Sequence, residues 1–134
     1  MATQRHNDTE NRRKEERVAA AFPVKYSFYH NVERRDTKSL RAGTTLDVSR
    51  FGVSFVAQVV DPSILPSALR GEIIMAVTIT TPLKTYNTTC RLAWVTPLTG
   101  QADRFLVGAE YTDADDAERE EIFAAAKASG GKKA

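Results

Sequence analysis

Apolar and polar residues alternate in six separate stretches of this chain. Val24, Tyr26 and Phe28 alternate with Lys25, Ser27 and Tyr29, the period of two expected of a half-buried strand. Thr44 to Val48 predicts a second strand, with Leu46 and Val48 on one face and Thr45, Asp47 and Ser49 on the other. Gly52 turns the chain into a third, Val53 to Ala57, which points Val53 and Phe55 inward. Ile73, Met75, Val77 and Ile79 predict the fourth. Tyr86 to Val95 follows, with Cys90, Leu92 and Trp94 on one face, and Phe105, Val107, Ala109 and Tyr111 complete the set.

Between these stretches the breakers are clear. Asp61-Pro62 and Leu65-Pro66 interrupt any regular element and predict a turn or a short helical piece. Thr81-Pro82-Leu83-Lys84 reads as a hairpin connection, Pro97 to Asp103 as a loop, and His30 to Gly43 as a long charged connection. After Tyr111 the period changes. Thr112 or Asp113 can cap a helix, acidic residues crowd its first turn, and Ile122, Phe123 and Ala126 fall on one face. Gly130-Gly131 ends it. Six short antiparallel strands and a terminal helix predict a mainly β protein, a small closed or partly closed barrel with the helix over one opening.

Residues 1–11 carry no periodicity and are polar after Ala2, which predicts a flexible N-terminal arm. The expected division is therefore an arm at 1–11, one domain at 12–127 and a frayed tail at 128–134. A length of 134 residues suits one domain with a modest core. No apolar run approaches the roughly 20 residues of a membrane-spanning helix, and the N-terminus lacks the apolar segment of a secretory signal. A single cysteine, Cys90, rules out an internal disulfide and makes a cytoplasmic, reducing compartment the natural expectation.

Net charge is +2, too balanced for a general nucleic-acid binder. The aromatics Tyr26, Phe28, Phe55, Trp94, Phe105 and Tyr111 fall mainly in inward phase, so a single-strand-binding barrel would lack its stacking platform. Catalysis finds little support. The only histidines are His6 and His30, no nucleophile elbow, P-loop or zinc-protease motif is present, and Cys90 alternates with core residues. The chain reads as a non-enzyme without metal or cofactor.

Two short motifs carry the chemistry. Arg13 and Arg17 form R-x-x-x-R, with Arg12 just ahead. A guanidinium is planar and permanently charged, so it matches phosphate and carbonyl oxygens in pairs and stacks on purines. A spacing of four puts Arg13 and Arg17 on one face whether the segment is helical or extended. Taken alone, such a charge run is more often a solvated surface. Asp47, Ser49 and Gly52 form D-x-S-x-x-G. A carboxylate accepts from the N–H groups of a guanine edge, and a hydroxyl donates or accepts beside it. The same residues also suit an Asx or Ser turn at a strand end, and the two readings are compatible.

In this order, ahead of a run of strands, the two motifs resemble those of the PilZ family of bacterial cyclic di-GMP receptors. The likeness covers roughly residues 12–125, and Phe105-Leu106-Val107-Gly108-Ala109-Glu110-Tyr111 is similar to the family's last strand. It implies a six-stranded antiparallel PilZ-type barrel that binds cyclic di-GMP. It further implies that Arg13 and Arg17 hold phosphate and guanine while Asp47, Ser49 and Gly52 line the other side. A basic residue in the place of Arg12 goes, in that family, with a ligand bound as a stacked dimer. The expected function is a second-messenger receptor whose N-terminal arm orders on binding and so creates a surface for an unnamed downstream protein. The rival expectations are a ligand-independent adaptor and a small nucleic-acid-binding barrel.

Overall fold

The computed structural model describes residues 16–30, 40–59 and 61–129. The arm expected at 1–11, Arg12 and Arg13, the middle of the His30–Gly43 connection and the tail from 130 lie outside those residues. Seven strands are described: β1 Val18–Ala19, β2 Pro23–His30, β3 Arg41–Val48, β4 Gly52–Gln58, β5 Ile73–Thr80, β6 Thr85–Leu98 and β7 Gln101–Tyr111. A 3-10 turn, Pro62–Ile64, and a short helix, α1 Leu65–Leu69, join β4 to β5, and helix α2, Asp116–Ala128, follows β7. Every pairing is antiparallel, in the order β1-β3-β2-β5-β6-β7-β4, and a further β3–β4 pairing closes the ring. The result is a closed six-stranded barrel with one extra strand, β1, alongside β3.

The alternation read from the sequence supplies the core. Val24, Tyr26 and Phe28 on β2 point inward with Phe55, Met75, Val77, Ile79, Leu92 and Val107. Tyr26 and Phe55 pack with ring centroids 5.0 Å apart. The Tyr26 hydroxyl accepts from the Gln58 amide at 2.7 Å, so the polar end of this buried ring is paired. Cys90 is fully buried, and that burial pushes its thiol upward, away from the reactive thiolate.

Two positions depart from strict alternation, each at a bulge. Leu46, expected inward, is 49% exposed, whereas Thr45 is 1% exposed. The register runs Thr45↔Phe55 and then Asp47↔Ser54, so Leu46 is an extra residue on β3. The cause lies on the other edge of β3, where the chain breaks between β1 and β2. There the Thr45 hydroxyl donates to the Ala20 carbonyl and accepts from the Phe22 amide, standing in for a missing ladder bond. Trp94, also expected inward, is only half-buried. The β6–β7 register shifts between Leu92 and Trp94, and the extra residue Ala93 turns Trp94 to the outer face.

Other boundaries differ less. The expected loop from Pro97 to Asp103 is mostly strand, because β6 and β7 continue to a turn at Thr99-Gly100, where Gly100 takes φ 77°. Pro97 is tolerated because a register irregularity falls between it and Leu98. The cap of α2 is Asp115, which accepts from the Glu118 amide, and not Thr112 or Asp113. Those two are engaged with β6. Thr112 donates to the Thr89 carbonyl, and the Asp113 carboxylate accepts from the Thr89 amide and the Thr88 hydroxyl, each at 2.7 Å. Burial opposes ionisation of Asp113, but these bonds outweigh it and hold the carboxyl below its usual range.

Helix α2 buries Ile122, Phe123, Ala125 and Ala126. Successive glutamates tie it to two hairpins. Arg50 donates to Glu120 at 2.7 Å and its guanidinium lies 4.4 Å from the Phe123 ring centre. Tyr86 donates to Glu121 at 2.9 Å, and the Lys84 ammonium sits 3.1 Å from the same carboxylate. Burial, with Glu121 adding to it, pushes the Tyr86 phenol up to about 12.

The Thr45 bridge generates a stability prediction. Thr45→Val keeps the shape but strands a buried amide and a buried carbonyl. Chemical denaturation is expected to report a loss of about 1–3 kcal/mol. No loss would mean that water satisfies both groups and that the hydroxyl does not hold β1 to β3.

Candidate functional site

The bulge in β3 decides what reaches the outer surface near its end. Asp47 and Ser49 both face a concave region beside the β3–β4 hairpin. β1 pairs Val18 with Val48 and Ala19 with Asp47, which delivers the preceding residue, Arg17, to the same place. The Arg17 guanidinium lies 3.7 Å from the Asp47 carboxylate, an ion pair looser than a hydrogen bond. At that distance and half exposed, the pair contributes at most about 1 kcal/mol to stability. Its value is placement: a cation and an acceptor side by side.

Ser49 is first of all a turn device. Its hydroxyl accepts from the amides of Phe51 and Gly52 at 3.1 and 3.3 Å, while its own amide donates to the Gly52 carbonyl at 2.9 Å. Thr81 does the same at the β5–β6 hairpin, accepting from Leu83 and Lys84 at 3.2 Å each. The Ser49 hydroxyl reaches the Gly52 carbonyl only at 3.5 Å, a weak bond that a better acceptor can displace.

Gly52 is required for a different reason from the bend expected of it. It has no positive φ. A β-carbon there would stand 2.0 Å from the Ala109 carbonyl oxygen on β7. β4 and β7 approach too closely for any side chain, so bare backbone floors the cleft. Gly108 is a second such position, since a β-carbon there would meet the Trp94 indole at 2.2 Å.

The cleft encloses about 140 Å³ and is open to solvent on one side. Arg17, Asp47, Ser49 and Phe51 form one wall, with Phe51 46% exposed. Ala93, Trp94 and Glu110 form the other, above the floor of Gly52, Gly108 and Ala109. Glu110 also stands 3.9 Å from Arg91 on the neighbouring strand. Among the described residues no group of histidine, cysteine and acidic side chains is arranged to hold a metal ion. The structure thus brings Arg17, Asp47, Ser49 and Gly52 together. Arg12 and Arg13 fall outside the described residues.

Comparison with known proteins fixes the family. The model of the PilZ domain matches residues 11–127. The chain belongs to the PilZ family.

Among solved structures, this PilZ chain is similar to the inhibitor of motility MotI/DgrA of Bacillus subtilis, with TM-score 0.60 and 9% identity over 87% of this chain and 50% of that one. It is similar to the PilZ domain of YcgR from Escherichia coli, solved with c-di-GMP, with TM-score 0.57 and 10% identity over 89% of this chain and 94% of that one. It is also similar to MrkH of K. pneumonia in its apo state, with TM-score 0.57 and 11% identity over 85% and 50%. The chain therefore spans about half the length of MotI/DgrA and MrkH but nearly all of the YcgR domain. No curated protein matches the sequence. At these identities the likeness is one of fold.

Sequence reasoning missed Trp94 and Glu110 as cleft residues. Period-two counting puts Trp94 in the core, and only the register shift at Ala93 reverses it. Glu110 carried no signal of its own beyond its outward phase on β7.

The close approach at Gly52 is directly testable. Gly52→Ala forces two backbones apart, so a loss of about 1–3 kcal/mol is expected in denaturant melts. Unchanged stability would show that the β4–β7 approach is not tight in solution.

Proposed function

We propose that this PilZ domain is a cyclic di-GMP receptor. The observation that carries the reading is the convergence of Arg17, from the R-x-x-x-R segment, with Asp47, Ser49 and Gly52, from D-x-S-x-x-G, on one cleft. Solved structures of similar fold add support: the YcgR domain with c-di-GMP and PlzA of Borreliella burgdorferi in complex with c-di-GMP, the latter at TM-score 0.50 and 7% identity. In this reading Arg13 and Arg17 engage phosphate and guanine oxygens. Asp47 accepts from the guanine edge, and Ser49 exchanges its weak bond to Gly52 for one to ligand.

The receptor works without catalysis and without a metal or cofactor. It acts in the cytoplasm, which the single buried thiol at Cys90 suits, and no helix among the described residues is long and apolar enough to cross a membrane. Arg12 occupies the place where, in the PilZ family, a basic residue goes with a ligand bound as a stacked dimer, and the resemblance supports a second ligand molecule here. From Thr3 to Lys14 the arm contains no apolar residue, so little holds it to the barrel but the charges that a dianionic ligand would recruit. Ligand would then fold the arm over the cleft and present a composite surface to a downstream protein.

Calorimetry is expected to rank cyclic di-GMP above GMP, GTP and cyclic di-AMP, because adenine lacks the donor pair for Asp47. Arg13→Ala and Arg17→Ala should each weaken binding about 10- to 150-fold while leaving the apo melting temperature nearly unchanged. Absence of binding at tens of micromolar protein would sink the reading, and unfolding of the protein by Arg13→Ala would make these arginines structural.

Titration is expected to give two ligands per chain, falling toward one in Arg12→Leu. Amide exchange over residues 12–18 should slow when ligand is added. A wild-type ratio of one removes the stacked dimer, and amides already protected without ligand remove the ordering step.

A further inference from the structure

The two motifs are joined by a second route that does not pass through the cleft. Arg50, inside D-x-S-x-x-G, is not a lining residue of the cleft and reaches α2 instead. Glu120, Phe123 and Lys127 are spaced i, i+3 and i+7, which sets them along one stripe of that helix. Arg50 Nε donates to Glu120 at 2.7 Å, and the guanidinium lies 4.4 Å from the Phe123 ring centre. The Lys127 ammonium lies 5.2 Å from the same ring and 3.7 Å from the carboxylate of Glu16, the residue before Arg17. Two cations thus share one buried ring, and each has a carboxylate of its own to offset their mutual repulsion.

These contacts close a circuit. It runs from Arg50 through Phe123 and Lys127 to Glu16, along the chain to Arg17, across the ion pair to Asp47, and along β3 back to Ser49 and Arg50. A nucleotide that takes up Arg17 with its phosphate and Asp47 with its base separates those two groups. The direct link between the motifs is then lost, and the route through α2 remains. Halves of a site held in place by groups outside the contact surface lose less freedom on binding.

We infer that Phe123, with Arg50 and Lys127 against its ring, is a clasp that positions both motifs for the ligand and keeps them together once Arg17 and Asp47 are given up to it. The inference rests on the receptor reading given above and adds residues of α2 that neither motif contains. Arg50 and Lys127 are positioning residues, acting through Ser49 and through Glu16 and Arg17. The helix also supplies a control. Lys84 makes an ion pair of the same kind with it, 3.1 Å from Glu121, but from a hairpin that carries neither motif.

Cyclic di-GMP is titrated calorimetrically into the full-length protein and its variants. Arg50→Met and Lys127→Met should each weaken binding about 3- to 30-fold. Lys127→Arg, which keeps the cation, should restore it, and Lys84→Met should leave it unchanged. A second arm needs no ligand. The Ala20 amide donates to the Leu46 carbonyl and the Ser49 amide to the Gly52 carbonyl, so their hydrogen exchange reports on how firmly each motif is seated. Lys127→Met should speed exchange at Ala20, Arg50→Met at Ser49, and Lys84→Met at neither. Wild-type affinity in both Arg50→Met and Lys127→Met would overturn the clasp while the receptor reading stands. So would an equal loss in Lys84→Met and Lys127→Met, which would mean that α2 acts only by docking on the barrel. No binding of cyclic di-GMP by the wild type would remove the receptor reading and the clasp's role in it, whatever the exchange arm shows.

Discussion

The rest of the structure depends on how β3 is satisfied along its two edges at once. One edge must close the barrel against β4. The other must serve β2 over its first half and β1 over its second, although the chain bends between them. A backbone ladder cannot bridge that bend, and buried amides and carbonyls do not go unpaired. Thr45 resolves the conflict with a side-chain hydroxyl that takes both an acceptor and a donor. Its inward turn forces Leu46 outward as the bulged residue, and that sets the phase in which Asp47 and Ser49 arrive at the cleft. The same device holds β1 in register and thereby positions Arg17. The electrostatic site is thus a consequence of backbone accounting some distance from it.

β6 repeats the logic on the other wall. One inserted residue, Ala93, moves Trp94 from the barrel interior to its surface, and a side-chain-free position on β7 receives it. Bulges increase local twist and re-aim side chains. Here one bulge on each wall aims groups into a common space. Helix α2 is braced from hairpins on either side through Glu120 and Glu121, so the cleft rests on a frame tied at several points.

What the sequence revealed, and what it hid, follows from this. The strands were legible because a barrel interior is a period-two surface, and Val24-Tyr26-Phe28 or Ile73-Met75-Val77-Ile79 satisfy it without exception. The terminal helix was legible from Ile122, Phe123 and Ala126, but its cap was not, because Asp113 and Asp115 are equally good caps and only the pull of Thr88 and Thr89 on Asp113 separates them. β1 is two residues long, too short for periodicity. Leu46 and Trp94 were misplaced at the two bulges: Leu46 is itself the extra residue, Trp94 follows one and changes face, and hydrophobic pattern contains no mark of an insertion. The motif residues Arg17, Asp47, Ser49 and Gly52 stand out in the sequence by their spacing and line one cleft in the structure, whereas Trp94 and Glu110, which line it too, belong to no spacing. Their proximity exists only after β6 and β7 have paired.

The floor of the cleft is main chain, fixed by two glycines and the close approach of neighbouring strands. Peptide groups do not change when a gene mutates, so such a floor can be inherited through almost complete replacement of the surrounding side chains. Solved structures that share this fold at 9–11% identity illustrate how far that replacement runs. A surface of this kind separates two histories: the place of the cleft is kept by geometry, and what its walls present is free to diverge.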